Sequence, residues 1–311
     1  MADKCAIYSH PASLTHDTGP HHPENVKRIE YLNELIDEPL FDCWDKLKPR
    51  AATQEEICRA HTLSYYKDLY DSQPEHGLIM LDSGDTIMSP DSFEAATYAA
   101  GAVCQACDDV LSGKHKRAFC MNRPPGHHAE PYNTMGFCLF NNVFIGAMQA
   151  KSYWGLNKIA IIDFDVHHGN GTDTMARSQT GIFFASSHEY PLYPGTGNPN
   201  DNIKGHVENY ILQNGEGSRE FRDLYQNYIL PSLEENQPEI IFISAGFDGH
   251  EKDSISHLNL KESDYQWVTR EIVKIANKSA NGNVISVLEG GYHLQALCDS
   301  TRAHLLALAE T

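Results

Sequence analysis

Lys158 to Thr172 reads KIAIIDFDVHHGNGT. Ile159 to Ile162 is apolar and mostly β-branched, the composition of a short buried strand. The run then meets Asp163, Asp165, His167 and His168 before Gly169 and Gly171 break the pattern. Alternate side chains of an extended segment share a face, so Asp163, Asp165 and His167 are spaced to converge. A carboxylate and an imidazole two residues apart, at the carboxyl end of a buried strand, mark the place where an α/β protein holds a divalent metal. The plain alternative, a polar turn with incidental acids and solvated histidines, sits poorly with such local density of His and Asp.

Outward from this stretch, the chain alternates strands with helices. Further strands are predicted at 6–8, 47–51, 117–121, 182–186, 207–212, 239–244 and 283–288. Helices are predicted at 23–37, 64–71, 92–111, 139–153, 170–177, 217–236, 261–281 and 293–308, with Thr53 and Glu56 forming a capping box that opens another at Gln54. Such alternation predicts an α/β fold with a central, mostly parallel eight-stranded sheet and helices on both faces. No repeat, low-complexity stretch or linker divides the sequence, so residues 1–311 read as a single domain.

Composition narrows the function. The net charge of −18, from 24 basic and 42 acidic residues, argues against nucleic-acid binding and would steer cations toward the protein. There is no run of about 18 apolar residues to span a membrane, and the first residues lack the apolar stretch of a signal peptide. The eight cysteines are too sparse for a disulfide scaffold. A cytoplasmic protein with no membrane partner is expected. Cys104 and Cys107 form a CxxC inside an Ala-rich helix and read as small packing residues.

Four predicted strands end in polar clusters: Arg123 to His128, Asp165 with His167, Ser244 to Asp248, and Glu289 to Tyr292. In a parallel sheet these ends share one edge, where ligands bind. Asp165, His167 and Asp248 would give three ligands and leave a position open for water, the pattern of a catalytic zinc. His127 and His128 are candidates for general base and acid, and Tyr292 for a phenol donating to an oxyanion. Together these residues describe metal-assisted amide hydrolysis.

The motifs resemble those of the histone deacetylase superfamily, over most of the chain. They are HPEN with Arg28, RPPGHHA at 123–129, GFCLFNN at 136–142, DFDVHHGNGT at 163–172, YPGTG at 193–197, AGFD at 245–248 and EGGY at 289–292. The class II branch, its bacterial relatives and the acetylpolyamine amidohydrolases are the closer match. The resemblance implies the arginase-deacetylase fold, one zinc on Asp165, His167 and Asp248, tandem histidines His127 and His128, and the catalytic Tyr292. It places Asp163 behind His127 and Asn170 behind His128, where class I enzymes have an aspartate, so the two histidines should titrate differently. It also implies a potassium site around Asp163, Asp165, His167, Ser186 and Ser187. Phe137 and Tyr193 would wall the substrate channel, Tyr193 departing from the usual phenylalanine, and the Gly136 carbonyl would accept the substrate amide N–H. Ile255 stands where polyamine-selective relatives carry a glutamate. Removal of acetyl or other short acyl groups from lysine in a peptide or protein is therefore the leading expectation, with a small acylated amine such as an acetylpolyamine as the alternative; Glu251, Glu189 and Asp17 near the rim would favour the latter. An inactive acyl-lysine reader and an arginase-like two-manganese hydrolase fit the motifs less well. No long inserted arm dictates a particular homo-oligomer.

Overall fold

Residues 4–310 are described in the computed structural model. Among the described residues there are ten strands: β1 (Cys5–Tyr8), β2 (Asp45–Leu47), β3 (Ile79–Met80), β4 (Ile87–Met88), β5 (Arg117–Cys120), β6 (Ile159–Asp163), β7 (Ile182–Glu189), β8 (Val207–Leu212), β9 (Ile240–Ala245) and β10 (Val284–Leu288). Eight of them form one sheet in the order β2-β1-β5-β10-β9-β6-β7-β8. Every pairing in it is parallel. The sheet is thus wholly rather than mostly parallel; β3 and β4 form a separate antiparallel pair that the sequence did not suggest.

Period-two alternation explains the continuous apolar strands. In β6, Ile159 and Ile161 join one apolar cluster and Ala160 and Ile162 join another, so both faces are buried. The first face packs on α4 (Ser92–Leu111), α5 (Asn142–Ser152) and α6 (Asn170–Arg177). The second packs on α1 (Lys27–Ile36), α9 (Glu262–Ser279) and α10 (Leu294–Leu308). Cys104 and Cys107 of α4 are fully buried and unpaired. No described helix is long and apolar enough to cross a membrane.

Several boundaries differ from expectation for local reasons. The second strand lies at 45–47 rather than 47–51, because Pro49 lacks the N–H that would extend the ladder. The helix expected from residue 23 begins at Lys27, since Asn25 turns back to bond the carbonyls of His22 and Pro23. The helix expected from 139 begins at Asn142, capped by the Asn141 side chain. The helix expected over 217–236 is interrupted by a π turn at Tyr225–Ile229, just before Pro231, whose missing N–H relaxes the regular ladder. The capping box of Thr53 and Glu56 is present.

Candidate active site

The four central strands β5, β10, β9 and β6 are neighbours, and their carboxyl ends deliver the clusters read from the sequence. Asp163 closes β6. The chain then carries Asp165 and His167 to meet Asp248, which follows β9. One donor atom from each of the three lies within 4.8 Å of the others. His167 Nδ1 stands 3.1 Å from Asp165 Oδ1 and 3.1 Å from Asp248 Oδ2. Backbone donors fix the remaining oxygens: Gly290 N reaches Asp165 Oδ2 at 2.8 Å and Val166 N reaches Asp248 Oδ1 at 3.0 Å. Gly290 can be nothing larger, because a Cβ there would overlap Asp248 Oδ2. Burial pushes the Asp248 carboxyl up, and the nearby Asp165 adds to this. Burial acts the same way on Asp165, but His127 and His167 outweigh it and hold that carboxyl low. Two buried carboxylates around one imidazole call for a cation among them. Two carboxylate oxygens and one imidazole nitrogen suit zinc or a similar divalent ion, with room left for water and substrate.

His127 and His128 follow β5, their ring centroids 4.0 Å apart. His127 Nδ1 lies 3.0 Å from Asp163 Oδ2, and His128 Nδ1 lies 2.8 Å from Asn170 Oδ1. The loop is pinned by Glu289 Oε2, which accepts from Gly126 N at 2.7 Å and His127 N at 3.1 Å. Burial lowers the basicity of both rings. For His127 the charges of Asp163 and Asp165 outweigh it and push the ring up to about 10. For His128 burial is reinforced by His127 and His167, and the ring is held well below the usual histidine value. The two histidines are thus unequal, with Asp163 behind one and the neutral Asn170 behind the other.

A cavity of about 240 Å³ reaches this edge. Phe137, Tyr193 and Ile255 line it, together with Gly136, His127, His128, His167 and Tyr292. Tyr193 meets His128 edge-on with centroids 5.2 Å apart, and Phe137 meets Tyr292 likewise at 6.0 Å. Gly136 and Phe137 both adopt positive φ, 56° and 68°. A Cβ on Gly136 would overlap the His128 ring, which makes glycine obligatory there. The Gly136 carbonyl already accepts from the Cys138 thiol at 3.2 Å, leaving one lone pair for a substrate. Of the expected rim acids, none lines the cavity: Glu189 is buried against His257, Glu251 faces Lys261 at 3.7 Å, and Asp17 turns to Gly19 N. Asp85, unforeseen, does line it. Burial and the adjacent Asp82 hold the Asp85 carboxyl above its ordinary value.

The residues proposed to surround potassium adjoin one another, with Asp163 opposite Ser186 in the β6–β7 register. Ser186 Oγ bonds His188 Nδ1 and Ser187 Oγ bonds the Tyr225 hydroxyl, each at 3.0 Å, and each hydroxyl oxygen keeps acceptor capacity beyond that bond.

Three supporting residues were given no role from the sequence, although Glu24 and Arg28 belong to its HPEN motif. Arg28 is fully buried; its Nε donates to Gly291 O at 2.7 Å, and its guanidinium lies 5.0 Å from the Tyr292 ring centroid. Glu24 anchors it at 3.1 Å and also binds Arg123 Nε at 2.8 Å. Asp253 Oδ2 accepts from the backbone N–H groups of Tyr292 and His293 at 2.6 and 3.0 Å. The four-residue spacing of Glu24 and Arg28 was a visible signal for the first pair; nothing marked Asp253.

Type-2 histone deacetylase 2 of Dictyostelium discoideum is 36% identical over 98% of this chain, which spans 21% of that protein's length. A probable deacetylase of Archaeoglobus fulgidus is 35% identical, with 97% of this chain and 85% of that protein covered. A crystal structure of the HDA15 HD domain matches with a TM-score of 0.93 at 28% identity, covering 99% of this chain and 88% of that one. The architecture is the α/β arginase-deacetylase fold. Residues 22–308 match the model of the histone deacetylase domain, and the chain belongs to the histone deacetylase family, a family of deacetylase hydrolases.

Proposed function

We propose that this chain is a single catalytic domain that hydrolyses the side-chain amide of acylated lysine in a peptide or protein, using one zinc ion held by Asp165, His167 and Asp248. The observation that carries the reading is the convergence of those three residues beside a narrow aromatic-walled cavity that also holds both histidines and Tyr292. When bound, the zinc would supply Lewis acidity, making water more acidic and drawing electrons from the amide carbonyl. Phe137 and Tyr193 would clasp the apolar stem of the lysine. The free lone pair of Gly136 O would orient the amide N–H. His127, held by Asp163, and His128, held by Asn170, each direct Nε2 away from their partner and so would move protons at that atom. One would take a proton from water and one would return a proton to the departing amine. The Tyr292 hydroxyl would donate to the carbonyl oxygen as negative charge develops there. The reading needs no potassium ion. We place the reaction in the cytoplasm.

A small acylated amine is the second reading, supported by Asp85, a carboxylate at the cavity that could pair with a distant ammonium. Against it, the apolar Ile255 lines the same cavity. Hydrolysis of an acetyl-lysine peptide and of acetylputrescine by the same zinc-loaded sample separates the two. Preference for the peptide supports the lysine reading; preference for acetylputrescine replaces it.

A further inference from the structure

Asn170 faces two ways. Its Oδ1 lies 2.8 Å from His128 Nδ1, and its Nδ2 lies 2.9 Å from Glu130 Oε1. The other groups around Nδ2 are weaker acceptors, the His128 carbonyl at 3.4 Å and Met135 Sδ at 3.2 Å. An amide side chain has an oxygen end and a nitrogen end of nearly the same shape, so its partners decide which end faces the histidine. A carboxylate has no hydrogen to offer and can only accept. Glu130 is itself placed: its N–H bonds Asn133 O at 3.0 Å, and the next carbonyl, Pro131 O, accepts from Thr62 N at 2.9 Å.

We propose that Glu130 is a positioning residue, fixing the Asn170 amide with its oxygen toward His128 and thereby holding His128 as the Nδ1–H tautomer, with Nε2 free to accept a proton. With Glu130 present, the reversed amide would point its oxygen at a carboxylate and its NH₂ at His128. With Glu130 gone, reversal costs little. The reversed NH₂ would favour a His128 ring protonated on Nε2, which cannot take a proton in the cavity. A carboxylate in place of Asn170 would accept from His128 with either oxygen and would need no such orienting partner. Glu130 therefore accompanies the amide, and the two positions should be coupled.

The proposal rests on the deacylase reading for its kinetic consequence, though its spectroscopic consequence does not. The experiment combines turnover of an acetyl-lysine peptide, zinc content, and imidazole ¹⁵N shifts of His128 in the zinc-loaded protein. Glu130→Ala should lower kcat about tenfold or more with zinc retained, by analogy with lost partners of active-site histidines. Its ¹⁵N spectrum should move from an Nδ1–H ring toward a mixture of tautomers. Glu130→Gln, whose carbonyl oxygen can still accept from Asn170, should recover kcat to within about threefold. Asn170→Asp alone should set two carboxylates face to face and lose activity, and Glu130→Gln with Asn170→Asp should restore part of that loss. Wild-type ¹⁵N shifts of an Nε2–H ring, unchanged shifts and kcat in Glu130→Ala, or strictly additive effects at 130 and 170 would each overturn the proposal. If the wild type hydrolyses nothing while Glu130→Ala still shifts the tautomer, the positioning role stands and the deacylase reading falls.

Discussion

Replacing Asp253 with alanine should uncouple Tyr292 from the scaffold. Asp253 Oδ2 takes the N–H groups of Tyr292 and His293, and Oδ1 takes that of Ile255 at 3.3 Å. One carboxylate therefore ties the loop after β10 to the loop carrying Ile255, and it sits at the start of α10. Asp253 is 7% exposed, so water replaces it only in part. A charge-assisted hydrogen bond contributes about 1.5–3 kcal/mol. Two strong bonds and one long one, with partial rescue by water, give a loss of about 2–4 kcal/mol. That corresponds to a fall in Tm of roughly 3–6 °C for a chain of 311 residues. The kinetic effect should exceed what stability alone implies, because a shift of about 1 Å in Tyr292 can cost up to about a hundredfold in rate. Asp253→Asn keeps an acceptor oxygen and should fall between the two. Thermal melts and turnover of an acetyl-lysine peptide, on zinc-loaded samples, measure both. A variant with unchanged Tm and turnover within about threefold of wild type would refute the staple and the claim that Tyr292 needs its present placement.

Other expectations address single groups. His128→Ala should reduce turnover by about a hundredfold or more with zinc still bound, the usual scale of acid–base catalysis; metal analysis beside kinetics checks it, and undiminished turnover removes the role. Tyr292→Phe should cost on the order of 10²–10³ in kcat with little change in Tm, since only a hydroxyl is lost. Asp248→Ala should lose zinc itself, read by metal content after dialysis, and full occupancy would remove that ligand. Burial raises the Glu24 carboxyl, but Arg123 and Arg28 outweigh it and bring it from the ordinary 4.5 to about 2. A folded value below the unfolded one stabilises above about pH 4.5 and loses that contribution as pH falls toward 2. The stability gap between wild type and Glu24→Gln, by chemical denaturation, should be constant above pH 5 and shrink below it.

The site was legible wherever a residue directly follows a buried strand. Ile159 to Ile162 announces its strand by composition, and Asp163, Asp165 and His167 inherit their positions from where it ends. The same holds for His127, Asp248 and Tyr292, because parallel strands bring their carboxyl ends to one edge. What stayed hidden depends on contacts distant in sequence. Arg28 meets Gly291 across 263 positions, and its cationic side chain gave no sign that it would be fully buried. Asp253 looks like any loop acid until its carboxylate is seen beside Tyr292. Glu130 had meaning only once Asn170 was seen to donate to it. The β3–β4 pair has two residues per strand, too few for an alternating pattern to register. Tyr193, placed as a wall by its motif, does stand against the cavity, whereas the acids at 17, 189 and 251, expected near the rim, bond elsewhere.

One zinc ion, held by Asp165, His167 and Asp248, is proposed to make this site hydrolytic. The most direct measurement is a titration of metal-free protein with zinc, following hydrolysis of an acetyl-lysine peptide and bound metal in the same samples. Activity should be absent at the start, rise in proportion to bound zinc, and level off at one equivalent per chain. Full activity without metal, or a rise that continues to two equivalents, would contradict the account.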